Sequence, residues 1–144
     1  MSGGADMTGD AGGARALAVR VEISPGELID KITILEIKAR RLTDPGQRFN
    51  VAAELDALIA ARDAALPALA VLDDLTDRLR EINEDLWAVE DDLRGCESAG
   101  DFGAGFVALA RSVYRLNDGR AAVKRRINLL LGSRLMEEKS YGGG

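Results

Sequence analysis

At 144 residues the chain has the length of one domain, and a 47% hydrophobic share is enough to build a core. Acids outnumber bases by 24 to 19, and an aromatic share of 4% suits packing by Leu, Ile and Ala rather than a β-sandwich core. Histidine is absent, which excludes Ser-His-Asp triads and removes the commonest neutral-pH base and zinc ligand, while the single Cys96 excludes an internal disulfide.

Residues 1–15 are mostly small and polar, with no periodicity and little to bury, so a disordered leader is expected there. Leu17, Val19, Val21 and Ile23 then alternate with Ala18, Arg20, Glu22 and Ser24, the period of a short strand with one buried face. No charged region followed by an apolar run opens the chain, and no stretch approaches the roughly 20 apolar residues of a membrane span. A reduced, cytoplasmic protein without membrane contact is expected.

A first helix opens at Ser24-Pro25-Gly26-Glu27, where Ser24 can cap, Pro25 fits the first turn and Glu27 can bond back to the Ser24 amide. Leu28, Ile32, Leu35, Ala39 and Leu42 form its seam, and Ile29, Ile34 and Ile37 widen it, which predicts a central helix. Glu27 with Lys31 and Glu36 with Arg40 have the spacing of exposed ion pairs. Asp44-Pro45-Gly46-Gln47 repeats the punctuation and starts a second helix carrying Ala52, Leu55, Ile59 and Leu66. A third helix is predicted from about Ala68 to Arg94, with Leu72, Leu75, Leu79, Ile82, Leu86, Val89 and Leu93 in unbroken three-four alternation and Gly95 as its stop.

A fourth helix follows the loop from Gly95 to Asp101, with Phe102, Phe106, Leu109, Val113, Leu116, Arg120, Val123, Ile127 and Leu130 on one seam. Gly132 and Ser133 close the bundle. The third helix is acidic, with ten acids and three bases between Leu72 and Glu97, and the fourth is basic, with six bases and one acid between Phe102 and Leu131. Such charges favour their pairing as neighbours. The expected fold is all-α: a four-helix antiparallel bundle with a long coiled-coil-like hairpin and one short N-terminal strand. Residues 16–135 make a single helical domain and 136–144 a flexible tail.

The segments Glu22 to Lys38, Leu86-Trp87 with Glu90-Asp91, Leu109 to Tyr114 with Asn117-Asp118, and Glu137 to Tyr141 resemble a bacterial family of small helical proteins of unknown function. The resemblance covers roughly residues 20–141. It implies a bacterial origin and one small domain, and it carries no activity, substrate or site residue with it.

Arg120 breaks an otherwise apolar seam, and a guanidinium there must be paired or it costs several kcal/mol of desolvation. An internal carboxylate is the expected partner, from Asp30, Glu36, Glu84 or Glu90; the alternative is an anion clamp for a ligand carboxylate or phosphate. Beside that seam run Tyr114, Asn117, Lys124 and Asn128, and the third helix offers Asn83, Trp87, Glu90 and Arg94 at helical spacing. If these stripes meet Asp30 and Lys31, they line a polar pocket between helices; the competing reading is a solvated face or a subunit contact.

Other chemistries find little support. Glu81, Glu84 and Asp85 could hold magnesium as in helical nucleotide pyrophosphohydrolases, but those enzymes need a second acidic motif, and the fourth helix offers Asp118 alone. The spaced arginines of helical chorismate mutases are not reproduced. Nucleic-acid binding is disfavoured because the chain is acidic and the third helix neutralises the basic fourth. Ser112 has no histidine base, no phosphate-binding glycine loop occurs, and Cys96 beside Glu97 reads as an inert thiol.

No catalytic group, metal site or cofactor is therefore expected. The leading expectation is a non-enzymatic helical adaptor that forms a homodimer, the unpaired strand Leu17 to Ile23 joining its equivalent in a second subunit or residues Leu135 to Tyr141 of its own chain. The alternative is a small-molecule binding protein or enzyme for an anionic metabolite. There Arg120, Lys31 and Lys124 act as clamps, Glu90 or Asp30 as acid or base, and Trp87, Tyr114 and Asn117 line the pocket.

Overall fold

The computed structural model describes residues 17–133, and the expected leader of residues 1–15 and tail from Leu135 onward lie outside that range. The described chain forms four helices: α1 Pro25–Arg41, α2 Pro45–Ala65, α3 Ala70–Ala99 and α4 Ala104–Leu130. The fold is all-helical, with no strand among the described residues.

α1 starts where the sequence places it, with Ser24 Oγ accepting the Glu27 amide at 3.2 Å and Pro25 in the first turn. It is the central helix. It alone packs against all three others, whereas α2 packs against α1 only. Ile29, Ile32 and Ile37 of α1 are fully buried, and Ile29 meets Leu72, Leu75 and Leu79 of α3 and Val123 and Ile127 of α4 in the main core cluster. Each such side chain contributes about 1.5–3 kcal/mol by leaving water. α2 is capped by Asp44 as expected, but of its residues only Val51 is buried: Leu55, Ile59 and Leu66 are half-buried and Ala52 is exposed, because one neighbour covers one narrow stripe.

Three expectations are corrected. Leu17 to Ser24 form no strand: no second strand lies among the described residues to pair with this backbone, and Leu17, Val19 and Val21 are 97%, 87% and 73% exposed. Its expected pairing with residues Leu135 to Tyr141 falls outside the described residues. Gly95 does not stop the third helix. α3 continues to Ala99, and Gly100 (φ 66°) makes the left-handed turn, with the Asp101 amide donating back to the Cys96 carbonyl at 2.9 Å. A helix tolerates one interior glycine at about 1 kcal/mol, which packing offsets. The following helix starts at Ala104, so Phe102 precedes it and meets Phe106 edge-on, with ring centroids 5.2 Å apart.

The expected ion pairs within α1 are the third. Glu27 reaches Lys124 of α4, Glu36 reaches Arg80 of α3, and Arg40 and Arg41 both reach Glu84 of α3. A central helix offers its charged side chains partners on neighbouring helices, and the α1–α3 and α1–α4 seams take them.

Candidate functional site

The first turn of α1 is docked directly on the backbone of α4. The Gly26 amide donates to Asn128 Oδ1 at 2.8 Å, and a Cβ on Gly26 would stand 2.5 Å from the Lys124 carbonyl oxygen. Glycine is required here by close approach, not by backbone angle. The contact fixes the level of α1 against α4, and the polar groups that follow one turn further on meet in register.

Asp30, with a side chain 0% exposed, sits at the centre of that register. Arg120 grips it side-on, Nε to Oδ1 at 2.9 Å and Nη2 to Oδ2 at 2.5 Å. Asn83 of α3 donates from Nδ2 to Asp30 Oδ1 and to Thr33 Oγ1, each at 2.9 Å, and Thr33 Oγ1 donates to the Asp30 carbonyl at 2.8 Å. Lys124 Nζ lies 2.8 Å from Glu27 Oε1 and 3.9 Å from Asp30 Oδ2. Three helices thus place their buried polar groups on one another, which offsets the desolvation that each incurs alone. The carboxylate expected opposite Arg120 is Asp30.

Further along, α1, α3 and α4 enclose a crevice of about 200 Å³. Lys38 of α1, Asn83, Trp87 and Glu90 of α3, and Asn117 and Arg120 of α4 line it, over an apolar floor of Ile34, Ile37 and Leu86. Asn117 Oδ1 lies 3.5 Å from Arg120 Nη1, a long contact that ties the crevice to the buried network. The guanidinium of Arg41 stands 6.0 Å from the Trp87 ring centroid.

The residues singled out in the sequence divide in three. Asp30, Arg120 and Lys124 meet in the buried network; Trp87, Glu90 and Asn117 join Arg120 around the crevice; Lys31 and Tyr114 point elsewhere and are exposed. Sequence reasoning missed Thr33, Glu27 and Lys38. Thr33 had a signal, a hydroxyl between Ile32 and Ile34 on the apolar face; Lys38 had none, being an ordinary basic residue in a last turn. Among titrating groups Arg80 is perturbed: burial lowers its pKa, but hydrogen bonds and charge attraction from Glu36 and Asp77 outweigh that and raise it above the ordinary arginine value. The expected acidic face of Glu81, Glu84 and Asp85 contains no metal-holding group of acids among the described residues, and Glu84 is taken by Arg40 and Arg41. No described helix is long and apolar enough to cross a membrane.

These features define a four-helix domain organised around a buried Asp-Arg-Asn-Lys network that opens on a small polar crevice. The chain belongs to a family of unknown function, DUF6165, whose model matches residues 19–144. No curated protein and no solved structure matches it.

Proposed function

We propose that the protein is a non-enzymatic helical interaction module, cytoplasmic and bacterial, that self-associates through the distal half of α3 and α4. The observation that carries this reading is the overhang of that hairpin. Arg41, the last residue of α1, stacks at Trp87, and α3 runs twelve residues further to Ala99, about 18 Å at 1.5 Å per residue. α2 packs against α1 only and so adds no layer to this stretch, and α1 ends at Arg41. Its seam residues Val89, Leu93, Phe106, Leu109 and Val113 are only half-buried, and Phe102, Val107 and Tyr114 are exposed. Two helices alone bury one side of each seam; a further layer would bury the rest.

The pairing of Asp30 with Arg120 and of Gly26 with Asn128 supports α1 and α4 running in opposite directions, and with short connections this favours an antiparallel bundle whose α3–α4 arm resembles a coiled coil. A second copy suits the arm by charge, since acidic α3 of one chain can flank basic α4 of the other. Sedimentation equilibrium tests the reading. A dimer at micromolar concentration that Leu93→Lys or Val113→Lys dissociates without loss of helicity is expected. A monomer throughout the micromolar range refutes it.

The crevice favours a second reading, a small-molecule binding protein, because polar pockets between bundle helices are common ligand sites. Spectral titration of the single tryptophan, Trp87, reports any ligand that enters. A protein blind to every small metabolite in such a titration is not a binder of this kind.

A further inference from the structure

We infer that the crevice between α1, α3 and α4 is a site for a small zwitterion, an α-amino acid with an apolar side group. The inference rests on the small-molecule reading and changes its ligand from an anion. Three observations carry it.

The first is charge. Of the three anion clamps expected from the sequence, Arg120 holds Asp30 through two nitrogens, Lys124 holds Glu27, and Lys31 is exposed and does not line the crevice. What remains on the crevice wall is one cation, Lys38, and one anion, Glu90. Neither makes an ion pair with the other or with any other side chain among the described residues. A wall that presents one charge of each sign, separated and not mutually paired, repels neither end of a zwitterion. It offers a simple anion only half of its charges.

The second is size. About 200 Å³ is the space of roughly seven waters, below the 300–1,000 Å³ typical of pockets that bury most of a drug-sized ligand. It suits a molecule of amino-acid dimensions. The third is polarity. Ile34, Ile37 and Leu86 give the floor an apolar patch, and the Asn117 amide stands at the wall. The ligand's carboxylate lies against Lys38, its ammonium against Glu90, and its side group on the apolar floor.

The test is a fluorescence titration of Trp87 in the full chain with L-alanine, L-valine, L-leucine and L-methionine. Each is compared with its N-acetyl form, which keeps only the negative charge, and its amide, which keeps only the positive one. Saturable binding of at least one free amino acid at millimolar concentration or below is expected. Blocking either end is expected to weaken it by at least about tenfold, the equivalent of 1.4 kcal/mol for a lost ion pair. Lys38→Met and Glu90→Gln should do the same; both side chains carry no ion pair among the described residues, so circular dichroism should show them folded. Equal binding of the N-acetyl form overturns the zwitterion while leaving a small-anion site standing. Binding indifferent to both substitutions puts the ligand elsewhere and overturns the assignment. No change in Trp87 emission with any of these compounds overturns the zwitterion assignment, and the small-molecule reading falls with it only if the wider metabolite titration is silent as well.

Discussion

Removing Arg120 should cost more than removing the whole pair it belongs to. In Arg120→Met the fully buried Asp30 carboxylate keeps Asn83 at 2.9 Å and Lys124 at 3.9 Å but loses its principal counter-charge. Breaking a buried pair on one side typically costs 3–5 kcal/mol. Here the Arg120 side chain is already 28% exposed and Lys124 stays close, so a loss of about 2–3 kcal/mol is expected. Asp30→Leu leaves a guanidinium that can turn toward water, at a cost of about 1–2 kcal/mol. The double variant has neither unpaired charge and fills the space with apolar atoms, so its stability should return to within about 1 kcal/mol of the wild type. Urea unfolding followed by circular dichroism measures all four corners, with the midpoint shifting at constant slope if only stability changes. If the double variant loses the sum of the two single losses, the residues do not act as a pair and the account of the network fails.

Further expectations concern single positions. Gly26→Ala should destabilise by about 1–3 kcal/mol in urea, although alanine is the better helix former, because its methyl group would stand 2.5 Å from the Lys124 carbonyl; a stabilised variant would mean α1 is not held against α4 there. Gly95→Ala has open space and lies within α3, so it should stabilise by about 0.5–1 kcal/mol, whereas Gly100→Ala must accept φ 66° and should destabilise by about 1 kcal/mol. Thermal melts of the two variants moving in the same direction would contradict the placement of the helix end. Ser24→Ala should cost about 1 kcal/mol by uncapping the Glu27 amide, read as a lower urea midpoint with unchanged slope.

Local rules made much of the helical layout legible. The Ser24-Pro25 and Asp44-Pro45 caps act within a turn of chain, so two helix starts fell where the sequence put them. The width of the α1 stripe announced a central helix for the same reason: the pattern of Ile29, Ile32, Leu35 and Ile37 is itself the imprint of several neighbours. The end of α3 was not legible, because Gly95 and Gly100 are both locally competent stops and the difference between them is the packing that carries the helix past the first. The extended run Leu17 to Ile23 misled in a similar way: alternation specifies which side chains share a face, but a strand also needs a partner for its backbone.

Arg120 marks the boundary most clearly. Its place on an apolar seam, read from the sequence, dictated that it must be paired, since an unpaired guanidinium in a core is too costly to keep. Four carboxylates were equally eligible in the sequence. Which one it holds was decided by the level at which α1 meets α4, and that level is set by the Gly26 contact with Lys124 and Asn128, two chain segments about a hundred residues apart. Once that contact exists, Asp30 alone is one turn from it and fully buried, so Arg120 and Lys124 converge there, and Lys38 and Glu90 are left without ion pairs on the crevice wall. Sequence periodicity determined which residues need partners; only the packing of three helices determined who the partners are, because charge pairing falls off within a few ångströms while the pattern that announces it spans the chain.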